Sequence, residues 1–309
     1  MSYHGRPLMR PFKRAFASRS YSHIKVQPVA GALGGLVSGV RLDKIVPEQI
    51  AELREAFLDR NVLFFRDQSL SPSQHVDFAK NFMPDLEPTV HPIAKGIDGF
   101  PEVMHVVREC GEETTFGETW HSDLSFMKKP SFGCILFGKE IPPYGNDTLF
   151  ASVYAAYDGL SDGLKKTLEG MKAIHTAARA FNPSDNSNRA DRFDDTKKTG
   201  LQYQKSEYLT ASTTHPVIRT HPDTKKKLIF VNQMFTIGFE GWTEEESKPL
   251  LDYLFAEIQR PEYQYRFRWE TNSVAMWDNR CTQHLAVNDE CRFRRVIQRV
   301  CLTGDDEPF

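Results

Sequence analysis

The sequence has no Cys-x-x-Cys pair, no apolar run long enough to cross a bilayer, and no excess of charge of either sign. A spanning helix needs about 20 consecutive apolar residues, so no membrane anchor is expected. Against 39 Lys and Arg stand 41 Asp and Glu, a formal net charge of −2, which argues against a strongly basic nucleic-acid binder and against an acidic tail. The five cysteines (Cys110, Cys134, Cys281, Cys291 and Cys301) are odd in number and lack paired spacing. They read as reduced thiols in a cytosol-like compartment, and disulfides are not expected. Acidic residues are missing altogether from residues 1–42, where Arg6, Arg10, Lys13, Arg14, Arg19, Lys25 and Arg41 are basic. Residues 1–22 read as a basic, disordered arm ahead of a cytoplasmic domain; the alternative is a mitochondrial transit peptide and a matrix location. Repeats and breaks in composition are also absent, so residues 23–309 read as one domain.

What is present is a series of short strand-like segments with a few helices between them. Residues 24–27 alternate, and Pro28 confines them to a sheet edge. Residues 61–65, 102–107, 131–140, 263–269, 273–277 and 293–302 read as further strands. Pro47 suits the first turn of a helix. Ser71-Pro72-Ser73-Gln74 and Thr243-Glu244-Glu245-Glu246 are helix-capping sequences, predicting helices to about Phe82 and Gln259. Shorter helical patches cover 153–157 and 163–168. A hairpin is expected across 221–225, with Lys225, Lys226 and Lys227 as its solvated shoulder. Residues 182–210 are polar and aperiodic, the signature of a lid-like loop. The expected fold class is mainly β with flanking helices around a jelly-roll core.

Two stretches carry chemistry. Trp120-His121-Ser122-Asp123 offers an imidazole and a carboxylate with one residue between them, and on a strand such positions share a face. Residues 276–299 supply His284, a short acidic loop, and then Arg294, Arg295 and Arg299. Two imidazoles with one carboxylate leave coordination positions open and suit non-heme Fe(II) oxygen chemistry. Zinc with a bound water, as in hydrolases, uses the same ligands. On a regular strand Arg295, Ile297 and Arg299 face one way and Arg294 the other. A planar guanidinium is a natural partner for a carboxylate taken from solution, which weighs toward an oxygenase whose dicarboxylate co-substrate sits on Arg295. A β-barrel that binds an anion without redox chemistry is the alternative of another class. His175, His215 and His221 read as core or local structural residues, and Asp278 and Asn279 as groups orienting the turn that carries His284.

In combination, Trp-His-Ser-Asp (120–123), Gly-Asn-Asp-Thr (145–148), His-Pro-Val-Ile-Arg-Thr-His-Pro (215–222), Phe-Val-Asn (230–232) and Trp-Asp-Asn-Arg-x-x-Gln-His (277–284) resemble one family. It is that of the taurine dioxygenase-like Fe(II)/2-oxoglutarate enzymes, which also include aryloxyalkanoate dioxygenases. The resemblance covers residues 24–309 and implies a double-stranded β-helix that uses Fe(II), 2-oxoglutarate and O2. By it, His121, Asp123 and His284 would be the iron ligands, and Arg295 with Thr148 would bind the distal carboxylate of 2-oxoglutarate. His91 and Arg299 would hold the anionic group of the substrate, with Phe181 and Phe235 nearby. The implied reaction is hydroxylation of a small anionic substrate, a taurine-like sulfonate, with collapse of the product; a phenoxy acid is the alternative. Asp123 favours hydroxylation, since related halogenases carry a small residue there. Gly117 and Ala180 lack polar groups that taurine enzymes use thereabouts, and residues 97–103 look at least as much like the aryloxyalkanoate enzymes. The resemblance is in keeping with a homo-oligomer, with neither nucleic acid nor membrane as partner.

Overall fold

The structure, a computed structural model, describes residues 19–181, 201–304 and 307–309. The basic arm falls almost wholly outside the described residues, as does most of the expected lid at 182–210. Among the described residues, no helix is long and apolar enough to cross a membrane.

The chain begins with two antiparallel strands, β1 (Lys25–Pro28) and β2 (Gly35–Ser38). Helix α1 (Pro47–Arg60) starts at its proline and stops where Asn61 turns left-handed at φ 64°. Strand β3 (Val62–Phe65) follows, then α2 (Pro72–Phe82), whose Ser71 hydroxyl accepts from Gln74 N–H as the capping sequence predicts. Strands β4 (Pro88–Thr89), β5 (Gly96–Ile97), β6 (Phe100–Arg108), β7 (Gly133–Glu140) and β8 (Thr148–Ser152) come next. Two short helices, α3 (Val153–Gly159) and α4 (Asp162–Leu168), lead to β9 (Lys172–Thr176) and α5 (Ala178–Phe181). After the undescribed segment come β10 (Ser212–Pro216), the hairpin β11 (Ile218–Thr220) and β12 (Lys227–Ile229), and β13 (Thr236–Phe239). Helix α6 (Glu244–Ile258) is capped by Thr243 as expected. The chain ends with β14 (Gln264–Phe267), β15 (Val274–Asp278), β16 (Thr282–Ala286) and β17 (Arg295–Leu302).

The result is a double-stranded β-helix. Its large sheet runs β1-β2-β3-β15-β7-β17-β6-β5, with β4 also on β17, and the smaller β14-β8-β16 sheet packs against it. Across the gap Phe64 stacks on Phe267 at 4.3 Å and meets Phe150 edge-on at 5.6 Å. Period-two alternation explains why the central strands are apolar throughout. Val62, Phe64, Ala275, Trp277 and Ile297 face the space between the sheets. Leu63, Phe65, Val274, Met276 and Val300 face the outer layer, where Phe57 of α1 and Phe78 and Phe82 of α2 cover them. Burying both faces at roughly 25 cal/mol per Å² of apolar surface makes this sheet the stable frame on which the site is built.

One expectation fails here. Cys134 on β7 and Cys301 on β17 are directly opposed in register and form a disulfide with their Cα atoms 4.1 Å apart. They lie 167 positions apart in the chain, so only the strand pairing brings them together.

Candidate metal and anion site

The candidate ligands line two adjoining cavities. His121 does not sit on a strand, as its spacing with Asp123 suggested. It forms a single bridge to His284 of β16, with His121 N–H donating to His284 O at 3.1 Å and His284 N–H donating to His121 O at 2.9 Å. Asp123 follows in a turn ahead of Leu124, whose φ is 53°. The turn is held by Asn279: its Oδ1 accepts from Asp123 N–H, and its Nδ2 donates to the Asp123 and Ser131 carbonyls. Asn279 thus orients Asp123, whereas the sequence reading gave it the turn of His284.

The three side chains converge. All are buried, and a ligand atom from each lies within 4.8 Å of the other two. His121 Nδ1–H donates to Thr119 O at 2.7 Å, which leaves the Nε2 lone pair facing Asp123 Oδ1 at 3.5 Å. His284 presents Nε2 to Asp123 Oδ2 at 3.9 Å, its ring flanked by Trp277. Burial pushes the His284 imidazole well below its usual pKa, with the His121 ring adding to the effect. Burial alone would raise the Asp123 carboxyl, but Arg299, then His284 and His121, hold it well below the carboxylate range. Two converging imidazoles beside a carboxylate held ionised form a donor set suited to a divalent cation.

Arg299 does not point freely into a cavity. Its Nη2 lies 2.7 Å from Asp123 Oδ1, and its Nε lies 2.9 Å from the sulfur of Cys301. The disulfide therefore forms the floor under both, with Cys134 Sγ 3.2 Å from Asp123 Oδ2.

Two cavities meet at the ligands, sharing Phe116, Gly117 and His121 as walls. The first, of about 400 Å³, is lined by Thr148, Trp277, His284, Arg295, Ile297 and Arg299. Arg295 is buried there with its Nε atom unpartnered and forms no ion pair among the described residues. Burial pulls its guanidinium down to about 10, and the neighbouring charge of Arg108 adds to the shift. Thr148 Oγ1 accepts from Trp269 Nε1 at 2.9 Å, so its lone pairs and hydroxyl are oriented by a tryptophan that the sequence reading did not single out. As predicted, Arg294 faces outward, paired with Glu109 and Glu140.

The second cavity, of about 450 Å³, lies on the Asp123 side and is lined by His91, Phe116, Leu124, Phe181, Tyr203, Met234 and Phe235, with Thr114 and Thr115. The structure thus gathers His91, Phe181 and Phe235 beside the ligands. His91 Nδ1 accepts from the Ile93 and Ala94 amides at 3.1 and 2.8 Å, which leaves Nε2–H as the donor of the ring. Burial, followed by the charge of Arg299, pushes His91 down to about 3, so the ring is neutral. Phe116 and Tyr203 were not foreseen. Both come from loops, Tyr203 through its bridge to Ala94, and no local periodicity marks either.

Other clusters are accounted for. His221 Nε2–H donates to Asp278 at 3.0 Å, and Arg280 closes the pair, a structural network as expected of His221. His175 is wholly buried, and His215 bonds the Met127 carbonyl.

Residues 25–301 match the family described as taurine catabolism dioxygenase TauD, TfdA family. Over 292 residues the chain is 29% identical to an alkylsulfatase of Acinetobacter baylyi, covering 94% of this chain and 88% of that protein. It is 30% identical over 286 residues to an alpha-ketoglutarate-dependent sulfate ester dioxygenase of Pseudomonas putida, covering 91% and 90%. Among solved structures it is similar to a taurine dioxygenase from Burkholderia xenovorans, with a TM-score of 0.75, 33% identity and 92% of each chain covered.

Proposed function

Because the chain belongs to the TauD, TfdA family, it is an oxidoreductase that uses Fe(II), 2-oxoglutarate and O2 on a small substrate, and we propose that this substrate is an organic sulfonate or sulfate ester with an apolar body. The observation that carries this reading is the makeup of the second cavity. Its walls are Phe116, Leu124, Phe181, Tyr203, Met234 and Phe235, and among the described residues the one carboxylate lining it is Asp123, already paired with Arg299. An ammonium such as that of taurine would find no free counter-charge among the described residues there, and burying it unpaired is costly. An anionic head with an alkyl or aryl body suits the same walls.

The residues fit the metal and the co-substrate. His121, Asp123 and His284 would hold the ion, since the free lone pairs and the ionised carboxylate already converge. Arg295 and Thr148 would hold the distal carboxylate, the buried Nε of Arg295 having no partner among the described residues. When bound, iron with 2-oxoglutarate and O2 supplies the oxidising power, releasing succinate and CO2. The protein contributes orientation and exclusion of water. Neutral His91 would donate Nε2–H to an oxygen of the substrate's anionic head, while Arg299 lines the first cavity and is already paired with Asp123. The aromatic walls set the carbon next to that head toward the ligands. Hydroxylation there gives R–CH(OH)–OSO3⁻ from a sulfate ester, which breaks its C–O bond to yield an aldehyde and bisulfate. From a sulfonate, R–CH(OH)–SO3⁻ breaks its C–S bond to yield an aldehyde and bisulfite.

The test is succinate formation by Fe(II)-loaded protein with hexyl sulfate, hexanesulfonate, taurine and phenoxyacetate, with His121→Ala as control. Turnover of the two hexyl compounds well above taurine is expected. Preference for phenoxyacetate would replace this reading with that of an aryloxyalkanoate dioxygenase, and preference for taurine would remove it.

A further inference from the structure

Arg108 on β6 and Arg295 on β17 are cross-strand partners, so both guanidinium groups leave the large sheet on the same face. They are 3% and 4% exposed. Among the described residues neither forms an ion pair, and the Nε atom of each is buried without a partner. The carboxylate that Arg295 senses is Asp147, which is already held by Arg266 Nε at 2.6 Å. Two buried like charges side by side are unfavourable unless an anion completes them. The protein spends several contacts on keeping Arg108 in place: Nη1 donates to Asn288 Oδ1 at 3.1 Å, and Nη2 donates to the Glu290 carbonyl.

We propose that Arg108 is a second cation of the 2-oxoglutarate site, a positioning residue that raises affinity for the dianion through its field while Arg295 makes the contact. The proposal rests on the assignment of Arg295 to the distal carboxylate. With its two terminal nitrogens on Asn288, Glu290 and Thr115, Arg108 does not line the cavity. Its charge stands one strand away from Arg295 in a poorly screened interior. It discriminates between ligands that carry a distal carboxylate and ligands that do not.

The experiment titrates Fe(II)-loaded protein, without O2, with 2-oxoglutarate and with 2-oxobutyrate, which keeps the chelating end and lacks the distal carboxylate. Arg108→Gln is expected to weaken 2-oxoglutarate about tenfold and leave 2-oxobutyrate unchanged, and Arg108→Lys to restore most of the preference. Added 2-oxoglutarate should raise the melting temperature of Arg108→Gln less than that of the wild type. If Arg108→Gln binds 2-oxoglutarate like the wild type while Arg295→Gln does not, the inference fails and the Arg295 assignment stands. If Arg295→Gln binds normally, the assignment itself fails. Equal weakening of both ligands makes Arg108 merely structural and overturns the proposal. Should Arg108→Gln fail to fold, Arg108→Lys decides: loss of the preference with the charge retained also overturns it.

Discussion

Asn279 grips the backbone of Asp123 on both sides, its Oδ1 2.7 Å from the amide nitrogen and its Nδ2 2.9 Å from the carbonyl oxygen. A carboxylate that sits in a turn is thereby held by a side chain just ahead of β16, itself only 1% exposed. Asn279→Ala should strand buried backbone groups at a cost on the order of 1–3 kcal/mol. It should also weaken Fe(II) binding by about 10–100-fold, as expected when support for a ligand is lost. Fe(II) titration alongside a thermal melt checks this; a lower melting temperature with unchanged Fe(II) affinity would refute the link to the metal.

Arg299 bears on the same carboxylate electrostatically. It is the foremost of the groups that hold Asp123 ionised against the effect of burial. In Arg299→Gln the carboxyl should move back up, so protons compete for it as pH falls. From pH 8 toward pH 5 the metal affinity of the variant should fall more steeply than that of the wild type. Parallel profiles from Mn(II) titrations would contradict this assignment.

Much of this site was legible from the chain because it depends on period and spacing. The facing of Arg295, Ile297 and Arg299 away from Arg294 follows from alternation alone, and the ion pairs of Arg294 bear it out. What escaped depends on which strands become neighbours. Cys134 and Cys301 are joined by the β7–β17 register, and Arg108 meets Arg295 by the β6–β17 register. Neither pairing leaves a local signal. Thr148–Ser152 was hidden as a strand because the Gly145-Asn146 turn signal runs directly into it. His121 and Asp123 do point together, but through a bridge and a turn and not along the strand that their spacing suggested.

The aromatic wall should govern the preference for the substrate's body. Phe116 edges against His91 at 6.3 Å and Tyr203 at 6.5 Å, so it borders both the anionic head and the apolar body. Phe116→Ala should lower kcat/KM for hexyl sulfate by about 10–100-fold, the scale of the roughly 1.5–3 kcal/mol gained by burying apolar surface of this size. For methyl sulfate, which has almost no body, it should change little. Equal losses on both substrates would mean that Phe116 shapes the shared wall with the metal site and not the binding of the tail.

The disulfide predicts a thiol count. Of the five cysteines, Cys110, Cys281 and Cys291 are free. Protein purified without reductant and denatured should titrate with three thiols, rising to five after reduction, and reduction should lower the melting temperature because a long closed loop is released. Five thiols at the outset would show that Cys134 and Cys301 face each other reduced.

Stability toward acid should be set by buried histidines outside the candidate ligand set. His75 on α2 is wholly buried, its Nε2–H donating to the Ile135 carbonyl at 3.1 Å. Burial pushes its pKa from 6.5 down to about 4, with that hydrogen bond opposing. Between those values the unfolded chain binds a proton that the folded chain refuses, so stability rises with pH across the window. Above pH 6.5 the contribution is complete, and as pH falls to about 4 it is lost, amounting to roughly 3 kcal/mol for this residue. His175 and His215, lowered to about 3 and about 4 chiefly by burial, act with the same sign. His75→Leu should therefore be somewhat less stable at pH 7, having lost its bond to Ile135, yet lose less stability between pH 6.5 and pH 4.5. Urea unfolding at three pH values across that range measures the slope, and a slope equal to that of the wild type would show that His75 is not held neutral.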